Sequence, residues 1–188
     1  RGRDARTWEP IYLRGLDTMA LVGRVVSEHA RHRAMGMPIS MTFVDETGLG
    51  AGVVDRLRQL GIPVIGVNNG SRPDQIAVEG ENVANKAAEQ WAMLRAWLRT
   101  GGAIDSDLDL KAQLEGREYG YNAHNAIVLE RKDDMKKRGL SSPDRADALA
   151  LTFAYPVANI PGHSGDHQAG QWDTGGAGDV DGDFDPYR

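Results

Sequence analysis

The chain has 188 residues, of which 40% are hydrophobic and 26% charged, the composition of a single globular domain. It has no cysteine, which excludes disulfides and thiolate metal sites and is typical of a reducing cytoplasm; without an apolar run of 18 residues, a membrane-spanning helix is also excluded. The net charge of -5 comes from residues 162–188, so the neutral remainder neither indicates nor excludes a nucleic-acid partner.

The first third of the chain predicts a strand, a helix and a βαβ unit. Apolar and polar side chains alternate along Glu9–Leu16, as in a strand. The next helix begins at Asp17 or Thr18 and ends at Gly36. The apolar runs "MTFV" and "IPVIGV" flank the helix "VVDRLRQLG", which predicts two parallel buried strands with a right-handed crossover.

The second half predicts more helices and a hairpin. "NVANKAAEQWAMLRAWL" has one apolar helical face, and "DSDLDLKAQLEG" is a shorter helix with acids in its first turn. Tyr119–Leu129 predicts a β-hairpin. In "SSPDRADALAL", Ser142 is the predicted N-cap and Pro143 the first helical residue. The face of the long helix consists of Val83, Ala87, Trp91, Leu94 and Leu98.

Domain organisation follows from the change in composition near Pro161. We predict one α/β domain over residues 1–161 and a disordered Gly- and Asp-rich acidic tail over 162–188. The tail has two interpretations, a solvated acidic segment or a docking peptide anchored by Phe184, Pro186 and Tyr187.

Asp45 is the first candidate site residue. It directly follows a predicted buried strand, and open α/β sheets bind ligands at the carboxyl ends of their strands. Three glycines follow it (Gly48, Gly50 and Gly52), which would allow close approach of a substrate or of another backbone segment. The alternative is that Asp45 only caps the next turn.

Asp144 and Asp147 are the second candidates. They lie three residues apart at the start of a helix whose composition predicts burial, where an isolated carboxylate would be costly. A divalent cation shared between Asp147 and Asp45 would remove that cost. The alternative is that both are first-turn acids that satisfy the helix dipole and pair with Arg145 or Lys136.

A basic cluster precedes this helix and is close in sequence to its carboxylates. Such clusters hold phosphate backbones with a salt-dependent affinity, although they are also common on solvated surfaces. Its members are Lys132, Lys136, Lys137 and Arg138.

Three stretches together resemble one family. "FVDETGLGAGVVDRLRQLG", "NVANKAAEQWAMLRAWL" and "LERKDDMKKRGLSSPDRADALAL" are similar, in this order, to motifs of the C-terminal nuclease domain of the large terminase subunit of tailed bacteriophages. The resemblance runs from about Glu9 to Tyr155.

The resemblance implies an RNase H-like fold, a mixed sheet flanked by helices, in a protein of the host bacterial cytoplasm. It implies an endonuclease that cuts concatemeric double-stranded viral DNA during packaging, with the portal protein and the small terminase subunit as partners. Asp45 matches the family's second acid, Asp147 the last, Asp144 an accessory position and Lys132 the basic stretch. Carboxylates of this kind would hold two Mg²⁺ or Mn²⁺ ions, about 3.5–4 Å apart, for phosphodiester hydrolysis.

The sequence departs from the family pattern at its start. The family's first acid lies on the opening strand of the sheet, and no matching strand precedes Glu9. We therefore expect a piece of a longer protein that lacks its first strands and first acid, with weak or no cutting of its own.

Two other classes stay open. One is a non-catalytic α/β nucleotide-binding or regulatory module that uses the glycine loop, although neither a dinucleotide fingerprint nor a phosphate-loop Gly-Lys-Ser/Thr is present. The other is a different RNase H-like nuclease, of the resolvase or transposase type.

Overall fold

A computed structural model of the chain describes residues 1–2 and 5–158. The predicted tail and the last residues of the predicted domain lie outside this range. Within it, no helix has the length and apolar character needed to cross a membrane. The helices of the described part are α1 (Thr18–Ala34), α2 (Gly50–Gln59), α3 (Lys86–Arg99), α4 (Leu108–Gly116), α5 (Lys132–Lys137) and α6 (Asp144–Leu151). The strands are β1 (Thr42–Asp45), β2 (Val64–Val67), β3 (Ala77–Val78), β4 (Glu81–Asn82), β5 (Tyr119–Tyr121) and β6 (Ile127–Leu129).

The predicted βαβ unit is present. Strands β1 and β2 pair in parallel, with Thr42 opposite Val64 and Asp45 opposite Val67. Helix α2 connects them, and its apolar face packs on α1 and the strands because a parallel pair buries the side chains next to its crossover helix. The buried residues of this cluster are Val22, Val53, Val54, Leu57 and Val64.

The other strands form two antiparallel pairs, so the described strands make three separate two-stranded sheets. The predicted hairpin is confirmed, with Tyr119 opposite Leu129 and Tyr121 opposite Ile127. The third pair, β3 with β4, lies in a stretch that the sequence predicted as an ordered loop. An isolated bridge between Val83 and Ile127 links this region to the hairpin.

Helix α3 occupies the middle of the second core and contacts α6, β3 and β6. It begins at Lys86, where the side chain of Asn85 accepts a hydrogen bond from the Ala88 amide at 2.9 Å. Since Val83 lies before this cap, the helix starts later than its apolar pattern predicted. Ala146 and Ala150 of α6 are buried in this core, where α6 contacts α3 and α4. This core contains Leu94, Trp97, Leu110, Ala146, Leu149, Ala150 and Phe153.

The predicted strand at Glu9–Leu16 is wrong. The segment is irregular, and within the described residues its backbone pairs with no strand, so its alternating pattern has no sheet face to cover. It lies instead beside α4 and α6, where the Tyr12 hydroxyl donates to Asp107 and the Arg145 guanidinium lies 3.8 Å from the centre of the Tyr12 ring.

Candidate metal-binding site

Asp45 lies exposed at the carboxyl end of β1, where the sequence placed it. Its Oδ1 accepts a hydrogen bond from the Thr47 amide at 3.0 Å, and its Oδ2 accepts one from Asn69 Nδ2 at 3.0 Å. The alternative of a capping role therefore accounts for one oxygen only. Helix α2 itself starts without a side-chain cap.

The glycines after Asp45 serve the chain's own packing. Gly50 and Gly52 belong to α2, although the sequence predicted a loop there. A β-carbon at Gly50 would collide with the backbone carbonyl of Asp45. The close approach thus brings the first turn of α2 onto the end of β1, and it leaves Gly50 no room to cradle a nucleotide phosphate.

Asn69 ties Asp45 to the interior. It follows β2, and its Oδ1 accepts a hydrogen bond from Nε2 of Gln90, which is only 2% exposed, at 3.1 Å. The sequence did not single out either residue, because the contact joins positions 21 residues apart and neither amide belongs to a recognised motif.

Asp147 lies in the first turn of α6 and is contacted by three donors. Its Oδ1 accepts hydrogen bonds from Trp91 Nε1 at 3.0 Å and from Arg117 Nη1 at 2.5 Å. Its Oδ2 lies 3.0 Å from Nζ of Lys132. The carboxylate is therefore paired, but with neither Arg145 nor Lys136, the partners that the alternative interpretation named.

Arg117 contacts the candidate ligand Asp147, and the sequence did not single it out. Its side chain is 9% exposed, its guanidinium lies 4.9 Å from the centre of the Trp91 ring, and its Nη2 lies 3.3 Å from the Glu130 carbonyl. It precedes the hairpin and reaches α6, 30 positions further along the chain. Nothing in the sequence distinguishes it from the other arginines, and only the tertiary fold shows that it contacts Asp147.

Asp144 and Lys132 form an exposed pair beside Asp147. Lys132 Nζ lies 3.0 Å from Asp144 Oδ1, to which the Ser142 hydroxyl also donates at 2.8 Å. The bond from Ser142 and the charge of Lys132 lower the pKa of Asp144 despite some burial. Burial alone would lower the pKa of Lys132, but its bonds to the two aspartates outweigh that effect and raise it. Ser142 thus binds a side chain and is not the N-cap, a position that Pro143 takes.

The other members of the predicted basic cluster pair with nearby acids. Lys136 lies 3.6 Å from Asp133. Lys137 lies 2.7 Å from Asp134. Arg138 forms ion pairs with Glu130 and Glu118. These exposed pairs contribute little to stability and can exchange partners, but the local field is less positive than the sequence suggested.

The chemistry of the donor set fits a hard divalent cation. Asp45 and Asp147 offer carboxylate oxygens, the ligands that Mg²⁺ and Mn²⁺ prefer, and Asp45 is exposed while Asp147 is half-buried. Across residues 1–2 and 5–158, no group of three or more His, Asp or Glu side chains could hold a metal ion together. The two aspartates are connected through α3, by the Asn69–Gln90 contact on one side and by Trp91 on the other.

The described residues form a mixed α/β fold of six helices and small two-stranded sheets, which confirms the α/β class predicted from the sequence. The chain is similar to solved structures of the nuclease domain of the large terminase subunit gp2 of bacterial virus Sf6. The unmodified domain is 21% identical, with a TM-score of 0.51 over 69% of this chain and 70% of that one.

Two further structures of the Sf6 domain, both lysine-to-alanine mutants, match to the same degree. One, with manganese, is 19% identical, with a TM-score of 0.51 over 68% of this chain and 70% of that chain. The other, with manganese and beta-thujaplicinol, is 18% identical, with a TM-score of 0.53 over 74% of each chain. No family model and no curated protein sequence matches this chain. The similarity to the Sf6 domain is therefore a similarity of fold.

Proposed function

We propose that this chain is a metal-dependent endonuclease domain of a phage large terminase subunit, which cuts concatemeric viral DNA during genome packaging. One observation carries the proposal beyond the fold. Asp45 and Asp147, a hundred positions apart in the chain, lie at the two ends of one connection through α3. A shared cation site needs carboxylates that are held in place, and contacts from α3 hold both of these aspartates.

Asp45 and Asp147 hold the divalent cations, Mg²⁺ or Mn²⁺, and Asp144 is an accessory acid at the rim. When bound, such ions polarise the scissile phosphate and lower the pKa of a bound water, so that it can attack phosphorus. Trp91 and Arg117 both donate to Oδ1 of Asp147, and they keep this carboxylate oriented.

Lys132 positions the DNA backbone. It contacts both Asp144 and Asp147, and its side chain is about half exposed. When DNA binds, its ammonium group exchanges a carboxylate for a phosphate oxygen. Lys136, Lys137 and Arg138 make similar exchanges around it, and because phosphate contacts carry no sequence information, cutting has little sequence preference.

The same proposal implies the partners and the compartment. Double-stranded DNA is the substrate, the portal protein and the small terminase subunit are the packaging partners, and the host bacterial cytoplasm is the site of action. The similarity to the nuclease domain of the Sf6 large terminase subunit supports this setting. A nucleotide-binding module is not supported by any specific observation, because the backbone of Asp45 already occupies the space beside Gly50.

Plasmid cleavage tests the proposal. The 188-residue chain, and a version extended upstream of Arg1 to include any further acid, are incubated with supercoiled DNA and Mg²⁺ or Mn²⁺. We expect cleavage that EDTA abolishes, strongest in the extended version, and a loss of at least about a hundredfold in Asp45→Asn and Asp147→Asn. Asp55→Asn, an exposed change on α2, is the matched control. Undiminished cleavage by either site variant would refute the proposal.

A further inference from the structure

Two consecutive residues of α3 reach toward the two candidate metal ligands. Gln90 donates to Asn69 Oδ1, and Asn69 Nδ2 donates to Asp45 Oδ2 at 3.0 Å. Trp91 donates directly to Asp147 Oδ1 at 3.0 Å. We propose that Gln90 and Trp91 are positioning residues, through which α3 sets the separation and orientation of the two aspartates; this inference rests on the proposed function.

Helix geometry explains how two adjacent residues of α3 can reach two separate aspartates, one of them through Asn69. Successive residues of an α-helix are rotated by about 100° and rise by about 1.5 Å, so Gln90 and Trp91 point to different flanks of α3. One flank lies toward Asn69 after β2 and the other toward α6. The spacing of Asp45 and Asp147 is thereby tied to one rigid backbone rather than to the exposed turn at residues 47–49.

The contact on the side of Asp45 also has a direction. Gln90 is 2% exposed, and its Nε2 donor occupies the Asn69 carbonyl oxygen, which turns the Asn69 amino group toward Asp45. An amide with its orientation fixed in this way presents a donor, not an acceptor, to the carboxylate. Asp45 is held in place, and each of its oxygens keeps a lone pair for a cation.

The contact on the side of Asp147 selects one oxygen. Trp91 and Arg117 both bind Oδ1, whereas Oδ2 faces the half-exposed Lys132. Since Trp91 is part of a helix and its ring packs against Arg117, Oδ1 is the fixed oxygen and Oδ2 the exchangeable one. A divalent cation is therefore expected to approach Asp147 from the side of Oδ2.

The test removes each donor while keeping its bulk. Gln90→Met and Trp91→Phe are compared with the controls Gln59→Met, exposed on α2, and Trp97→Phe, buried on α3. Mn²⁺ affinity is measured by titration calorimetry and by the electron paramagnetic resonance signal of free Mn²⁺, and thermal midpoints without metal report folding. Substitution of a residue that hydrogen-bonds to a metal ligand typically lowers metal affinity 10- to 100-fold, so we expect about a tenfold loss in each of the two test variants.

DNA cleavage by the version extended upstream of Arg1, measured at increasing Mn²⁺ concentration, separates a positioning role from a general loss of folding. In Gln90→Met and Trp91→Phe, saturating metal should restore most of kcat while the half-saturating metal concentration rises about tenfold. If both variants bind Mn²⁺ as the wild type does, or if Trp97→Phe loses the same affinity, the positioning role is wrong although the nuclease proposal stands. If the version extended upstream of Arg1 neither binds Mn²⁺ nor cuts DNA, the proposed function fails and this inference fails with it.

Discussion

Lys132 and Arg117 contact opposite oxygens of the Asp147 carboxylate. The Lys132 ammonium nitrogen lies 3.0 Å from Oδ2, and Arg117 Nη1 lies 2.5 Å from Oδ1. The first contact is half-exposed and the second nearly buried, with side-chain exposures of 46% for Lys132 and 9% for Arg117. The two basic side chains therefore differ in role: the contact of Lys132 is exchangeable, and that of Arg117 is structural.

Lys132→Met should separate metal binding from DNA binding. Without a competing cation at Oδ2, Mn²⁺ affinity should rise by up to about fivefold, the factor that corresponds to an exposed ion pair of ~1 kcal/mol. DNA affinity should fall, and the slope of log K against log salt should decrease by about 1 because one phosphate contact is lost. Lys111→Met, on α4, is the control. Weaker Mn²⁺ binding in Lys132→Met would contradict an exchangeable contact.

Arg117→Met should destabilise the fold and do so through Asp147. A buried hydrogen bond to a charged group contributes about 1.5–3 kcal/mol, so urea denaturation should show a loss of this size. In Asp147→Asn the same arginine change should cost less, because its charged partner is already gone. A double-mutant cycle measures the coupling, and strictly additive losses would show that Arg117 acts only through Trp91 and Glu130.

Asp107 makes stability depend on pH below about 4. Bonds from the Tyr12 hydroxyl and the Leu110 amide, together with Arg145, lower its pKa to about 2 from the ordinary 3.8. Because the folded-state pKa is the lower one, the stabilisation is complete above the unfolded value and is lost as pH falls through 3.8 toward 2. Thermal midpoints of Asp107→Asn should fall less steeply over that interval than those of the wild type. Equal slopes would contradict this role, and Asp55→Asn is the control.

Gly50→Ala should displace the end of β1. The added methyl group would meet the Asp45 carbonyl, and overpacking of this kind costs about 1–3 kcal/mol. Gly23→Ala is a matched control, since Gly23 lies within α1 with open space where a β-carbon would be and should gain about 0.5–1 kcal/mol. Urea denaturation compares the two. A Gly50→Ala protein as stable as the wild type would show that the close approach to Asp45 is not required.

The sequence predicted elements whose signals are local. The parallel strands of the βαβ unit are short apolar runs, and the hairpin at Tyr119–Leu129 has turn residues between alternating stretches, so both were found. The Glu9–Leu16 pattern resembled a strand because its spacing is right, but alternation does not supply a pairing partner. The caps at Asn85 and Pro143 place the starts of α3 and α6 later than predicted, the start of α6 by a single residue.

The candidate site also contains residues that the sequence indicates and residues that it does not. Asp45 and Asp147 could be proposed from their positions at a strand end and a helix start, features that a sequence pattern carries. Asn69, Gln90 and Arg117 could not, because their roles depend on contacts across 21 to 30 positions of the chain. These contacts depend on how α3 packs against the other elements, and no short sequence motif predicts that packing.

The most direct test of the central claim is to locate the metal. Crystals of the protein soaked in Mn²⁺ are measured near the manganese absorption edge, and anomalous difference maps show where the ions lie. We predict Mn²⁺ bound between the carboxylates of Asp45 and Asp147, with Oδ2 of Asp147 as a ligand. Mn²⁺ bound elsewhere, or at one of these aspartates without the other, would contradict a shared site.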